Sequence, residues 1–271
     1  MEKSGEDDQL QMNQLRRQLA VHPGKIADDR RSEITRSCDV FFRNMKELHG
    51  LVVAAETDQE LALELIQNVR PPDVADEFYG RLDQRLQNMI SSAVALVEHT
   101  KRLLGKYPDT EFAAEFARRN EKIWNLSSSK FLRNLRNYLL HYGMVPFDHT
   151  VTISSSVIDS KVLLNCQALL GWDNWTAPVR KFIESSGDSI RLRTVIEEYS
   201  KQMQDLYGWM FTEYRRIHAA DIAAANEIVA RFNLALTGGR TDGRDYGMAP
   251  SKEEIRKFRE SHAEPDPRGH P

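Results

Sequence analysis

Cysteine is almost absent: Cys38 and Cys166 are the only two in 271 residues. They form no CxxC pair and no zinc spacing, which excludes a disulfide framework; each is expected to be a buried free thiol in a reducing compartment. Long hydrophobic runs are missing too. No segment reaches the roughly 18 to 20 apolar residues that span a bilayer, so no membrane contact is expected. The opening "MEKSGEDDQLQMNQLRRQ" is acidic and lacks the apolar core of a signal peptide, which points to a cytoplasmic protein. An excess of either charge is also absent. Lys and Arg total 37 against 40 Asp and Glu, for a net charge of −3, so any nucleic-acid surface has to be local. There is no Gly-rich phosphate loop and no internal repeat. No His/Asp/Glu set has metal-ligand spacing, and no Ser-His-Asp or Cys-His arrangement is legible, so neither metal nor cofactor is expected.

What the chain does have is helical periodicity. Ile34, Cys38, Phe41, Phe42, Met45 and Leu48 recur at three- and four-residue steps, and Leu51 and Val52 continue the stripe. Thr57 and Glu60 read as a capping box opening a second helix, which Pro71-Pro72 ends. A long helix from about Asp73 carries Phe78, Leu82, Leu86, Met89, Ile90, Val94, Val97 and Leu104. Pro108-Asp109 caps the next, with Phe112, Phe116 and Ile123 inward. The alternation in "TVTISSS" and the run "KVLLNCQAL" predict a β-hairpin over about 150–168. "WDNWTAPVRKFIESSGD" follows as a short helix, with Trp172 and Trp175 as a hydrophobic plug between hairpin and helix. From Ile190 to Phe232 an apolar stripe keeps helical spacing, with neither Pro nor Gly after Gly208. It predicts a long C-terminal helix over about 189–236, continuous or kinked once.

The fold class is therefore all-α: an up-and-down bundle of long helices with a small β-hairpin insertion. Residues 1–25 read as a flexible tail, 26–237 as one helical domain, and 238–271 as a second, disordered tail. A short helix is expected inside that second tail, from the Ser251/Glu254 capping pattern.

One segment carries candidate chemistry: "KFLRNLRNYLLHYG", Lys130 to Gly143. At about 100° per residue, Phe131, Leu132, Leu135, Tyr138, Leu139 and Tyr142 share an apolar face. Arg133, Arg136, Asn137 and His141 fall on the other side, with Asn137 and His141 one turn apart. Leu140 projects from that polar face, opposite the core, where an apolar residue implies contact with a second subunit. The surroundings are basic: Arg118, Arg119, Lys122, Lys130, Arg133 and Arg136 stand against Glu121 alone. Such a run is a solvated face or a phosphate site. His141 lies in the last turn, where the helix carbonyls favour a cation.

Arg136-Asn137-Tyr-Leu-Leu-His141 resembles the Arg-x4-6-His signature of the HEPN superfamily, in the form with Asn directly after Arg. The likeness is strongest over about residues 82–146. It implies a small helical bundle, often a homodimer, acting as a metal-independent RNA endonuclease in toxin–antitoxin, stress or phage-defence systems. By that likeness Arg136 would hold the scissile phosphate, and His141 would serve as acid or base for attack by the ribose 2′-hydroxyl. Asn137 would orient the site, with Arg133, Lys130, Arg119 and Lys122 binding RNA and Leu140 in the dimer interface. RNA, a second copy and an antitoxin or other protein are the implied partners. The alternative is a non-catalytic helical module that engages a protein or nucleic acid.

The same spacing recurs elsewhere. Arg16 and Arg17 reach His22 and Arg256 reaches His262, all in the expected tails. Arg43-Asn44 reaches His49 in "FFRNMKELHG", the real rival. His99 reads as a satisfied core or interface histidine, and Glu197-Glu198 and Asp7-Asp8 as solvated charges. The Met and Tyr stripe from Tyr199 to Tyr214 reads as core.

Overall fold

The computed structural model describes residues 2–66, 74–154 and 158–236. Among them, ten helices and three strands run in the order α1 (Glu2–Ala20), α2 (Pro23–Thr57), α3 (Gln59–Ile66), α4 (Val74–Leu104), α5 (Glu111–Asn125), α6 (Ser127–His141), β1 (Phe147–Ile153), β2 (Ile158–Asn165), α7 (Cys166–Leu170), α8 (Ala177–Ser185), β3 (Ser189–Arg191), α9 (Leu192–Ile217) and α10 (Ala219–Leu236). The chain is mostly helical with one small antiparallel sheet. The described residues divide into two compact units, residues 2–29 with 217–236, and residues from 30 to 216.

In the larger unit the core is built from the stripes expected of the sequence. Ile34, Phe41, Met45 and Leu48 of α2 are buried, as are Leu82, Leu86, Met89 and Leu96 of α4. Tyr199, Met203, Leu206, Tyr207, Met210 and Tyr214 of α9 complete it. The rings of Phe41 and Tyr199 meet edge-on at 6.1 Å, joining α2 to α9. The Thr100 hydroxyl donates to the Leu96 carbonyl at 2.8 Å, and the Tyr207 hydroxyl lies 3.0 Å from it, so a buried polar pair links α4 to α9 without an unmet donor. Both cysteines are buried and free, and burial pushes the Cys38 thiol up to about 12.

The hairpin has one strand more than expected. β1 pairs with β2 in the register Phe147↔Leu164 to Ile153↔Ile158, and β3 adds to β2 with Leu164 opposite Ile190. A three-residue strand with a single buried side chain, Ile190, leaves too short a pattern to announce itself.

The smaller unit revises the reading of the first 25 residues as a tail. They are largely helical: α1 buries Leu15 and Leu19, and Arg16 lies 5.2 Å from the centroid of the Phe232 ring on α10. A polar helix with so thin an apolar stripe gains order from its partner rather than from its own propensity. His22 belongs to this framework, its Nδ1 accepting from the Gly24 N–H at 3.1 Å. Gly24 is buried against the Asp221 carbonyl, where a side chain would collide with backbone.

Two local readings change. Asp58, not Thr57, caps α3: its Oδ1 accepts from the N–H groups of Glu60 and Leu61 at 3.1 and 3.2 Å. The Thr57 hydroxyl instead bonds back to the Val53 carbonyl within α2. Thr110 caps α5, after Asp109 adopts a positive φ of 58°. The C-terminal stripe, expected as one helix continuous or kinked once, is two helices parted at His218, and beyond Tyr214 its buried positions among the described residues reduce to Ala225. Pro71-Pro72, Ser251/Glu254, Arg256/His262 and the C-terminal tail lie outside the described residues.

Candidate functional site

Helix α6 begins at Ser127 behind Leu126, which supplies no side-chain cap. It ends where the N–H groups of Tyr142 and Gly143 both donate to the Tyr138 carbonyl, at 2.9 and 3.2 Å. Phe131, Leu132, Leu135 and Tyr138 are buried. The Tyr138 ring stacks on Trp175 at 5.4 Å, Phe131 stacks on the same indole at 6.0 Å, and Trp172 meets Trp175 edge-on at 4.7 Å. The Trp175 indole donates to the Leu169 carbonyl at 2.6 Å. Trp172 and Trp175 are thus the plug that anchors α6 over α7 and α8. One residue expected on this face departs from it: Tyr142 is 53% exposed and reaches the Gly171 carbonyl at 3.4 Å.

The outer face of α6 presents Arg133, Arg136, Asn137, Leu140 and His141, all exposed. Arg133, Arg136 and Asn137 open onto one hollow of about 450 Å³ beside Trp124 of α5 and the Glu98–Lys101 pair of α4, itself closed at 2.7 Å. The Arg133 guanidinium lies over the Trp124 ring, 4.0 Å from its centroid, and both residues line the hollow. Among the described residues no carboxylate lies within ion-pair distance of Arg136. His141 does not line this hollow; it stands exposed in the last turn of α6. Leu140 is 49% exposed, and Tyr142 and Met144 at 53% and 65% extend an apolar edge beyond it.

The basic cluster is weaker than its sequence count. Glu115 accepts from Arg118 and Arg119 at 2.6 Å, and those two guanidinium groups hold its carboxyl down to about 2. Arg119 also lies over the Trp209 ring at 4.5 Å. Neither Arg119, Lys122 nor Lys130 lines the hollow of Arg136. Lys122 is exposed and Lys130 half-buried.

The rival motif is divided between two neighbours. The Asn44 amide donates to Ser92 Oγ on α4 at 3.1 Å, whereas His49 Nε2 meets Glu197 of α9 at 2.9 Å. Glu197 also accepts from Arg193 at 2.8 Å, so it is a bridging carboxylate rather than a solvated one. Beside it, Glu56 is 2% exposed in its side chain and accepts from Arg191 at 2.7 Å and Arg193 at 3.3 Å. Ser160 donates to the Ala55 carbonyl at 2.6 Å, which commits its only proton. His149 Nε2, 2.6 Å away, therefore donates to Ser160, and burial lowers the affinity of this imidazole for a second proton.

His99 is not a core residue. It is exposed, and its Nδ1 lies 2.7 Å from Ser37 Oγ on α2. No metal-holding group of His, Cys, Asp and Glu occurs among the described residues, and none of their helices is long and apolar enough to cross a membrane. Compared with protein-family models, with curated proteins and with solved structures, the chain matches none.

Proposed function

We propose that the chain is a HEPN-like, up-and-down helical protein acting as a metal-independent endoribonuclease in a stress, toxin or phage-defence system. The observation that carries this reading is the exposed, unpaired Arg136 beside Asn137 on a single hollow of α6. A guanidinium in that position offers a two-pronged donor to a phosphodiester. The ribose 2′-oxygen attacks the adjacent phosphorus and the bond to the 5′-oxygen breaks. A cyclic phosphate and a free 5′-hydroxyl result, the proton passing from the 2′-hydroxyl to the leaving oxygen through the histidine. His141 does not line the hollow that Arg136 lines, so the reading calls for a second copy whose α6 meets this one along Leu140.

A non-catalytic reading has its own support in that same separation. A helix that offers Arg136 to a nucleic acid without His141 beside it binds and does not cut. RNA cleavage in EDTA, with Arg136→Ala and His141→Ala checked for unchanged circular dichroism, tests the enzyme. Each substitution is expected to lower the rate by about a hundredfold or more. Wild-type protein that binds RNA and leaves it intact assigns the helix to binding alone.

A further inference from the structure

A different hollow, of about 640 Å³, lies between α2 and α4. Two stripes face it at helical spacing. Arg30, Glu33, Ser37 and Val40 line it from α2, and Ser92, His99, Leu103 and Lys106 from α4. A seam between two amphipathic helices ordinarily closes on apolar side chains. Here it stays open, and cations outnumber carboxylates on its polar rim. Arg30, Arg36, Arg102 and Lys106 stand around it with Glu33 as the lining carboxylate, and none of the four cations has an ion-pair partner among the described residues.

We propose that this groove binds a small phosphorylated organic molecule, its phosphate held by Arg36, Arg102 and the Ser37–His99 pair. Four cations on the lining of one hollow give it a positive potential, which a bound dianion offsets. Ser37 and His99 add two further hydrogen-bonding groups to the lining, 2.7 Å apart although 62 positions separate them in the chain. Ile34, Val40 and Leu96 supply an apolar wall for the rest of the ligand. The volume falls in the range of small-molecule sites. The pair is a binding element rather than a nucleophile and base. Ser37 sits within an unbroken helix and also bonds back to the Glu33 carbonyl at 3.2 Å, and among the described residues no carboxylate bonds to His99 to orient it.

Isothermal titration of the full chain with adenosine monophosphate, inorganic phosphate and a single-stranded RNA oligonucleotide tests this. Adenosine monophosphate is expected to bind, and inorganic phosphate more weakly. Arg36→Ala/Arg102→Ala should weaken the nucleotide about tenfold or more with an unchanged melting curve, and His99→Phe, which keeps bulk and loses the ring nitrogens, by several-fold. Glu33→Gln should tighten it, a gain that loss of structure cannot mimic. Absence of heat with the nucleotide at about 5 mM overturns the proposal, as does binding undiminished in both variants. Equal affinity for phosphate and nucleotide removes the organic part of the ligand. RNA binding that depends on Arg36 and Arg102, without nucleotide binding, assigns the groove to a polyanion instead.

Discussion

The Arg133 guanidinium lies 4.0 Å from the centroid of the Trp124 ring, so the charge that begins the exposed face of α6 is seated on α5. A cation at that distance over an indole contributes about 1 kcal/mol at a half-exposed site. A double-mutant cycle of Arg133→Gln and Trp124→Leu, followed by urea unfolding, should return a coupling of about that size. Additive effects would mean that the contact is incidental.

Glu56 is the pivot of the ion pairs joining the end of α2 to β3 and the start of α9. Its side chain is 2% exposed while Arg191 and Arg193 remain partly in water, at 40% and 32%. Glu56→Ala strands two cations and the Val162 N–H, which otherwise donates to this carboxylate at 3.4 Å. A loss of about 2 to 3 kcal/mol is expected, below the usual cost of a fully buried pair because the arginines can rehydrate. Chemical denaturation measures it, and a loss below about 0.5 kcal/mol would make the network ornamental.

Asp83 and His149 give stability opposite dependences on pH. Burial raises the Asp83 carboxyl from 3.8 to about 6, against the lowering effect of the Val145 N–H it accepts at 3.2 Å. Between those values the folded chain binds more protons than the unfolded one, so this carboxyl makes stability fall as pH rises from about 4 to about 6. Asp83→Asn keeps an acceptor for Val145 and removes the charge. It should raise the melting temperature at pH 7 more than at pH 4.5, with a free-energy difference on the order of 2 kcal/mol. An equal effect at both pH values would show that the carboxyl is not strained by burial.

The proton affinity of His149 is lowered, mainly by burial, so the stability its neutral form contributes is lost as pH falls through its ordinary value of 6.5. His149→Gln, whose amide can still donate to Ser160, should remove that loss on the acid side. Melting curves of the variant at pH 5 and 7.5 that parallel those of wild type would refute this.

Leu140 tests the quaternary part of the proposed function. Leu140→Glu leaves the buried face of α6 untouched, since this side chain is 49% exposed. It should leave the unfolding free energy of the single subunit within about 0.5 kcal/mol of wild type while light scattering reports a shift from dimer to monomer and RNA cleavage disappears. A monomeric wild type, or cleavage that survives the substitution, breaks the link between Leu140 and the site.

Much of the helical framework was legible in the chain, and for a simple reason. A stripe such as Leu82, Leu86, Met89 and Leu96 is repeated at short range, and burying it leaves few choices of backbone. Strand β3 and the order of α1 were not legible. The one is too short to show a period, and the other is a polar sequence that helix α10 stabilises. Of the candidate site, the wheel separated Phe131, Leu135 and Tyr138 from Arg136, Asn137 and Leu140 correctly. It could not weigh Glu115, whose two arginines are thereby withdrawn from the basic cluster.

By itself the sequence determined the helical class, the buried cysteines, the aromatic plug at Trp172 and Trp175, and which side of α6 meets solvent. These are consequences of spacing within a single segment. The tertiary structure alone decided that Asn44 and His49 bond to different helices, that His141 stands off the hollow of Arg136, and that Ser37 and His99 meet. The contacts of Asn44 with Ser92, His49 with Glu197 and Ser37 with His99 join residues dozens of positions apart. Their geometry follows from how whole helices pack, which no local period records.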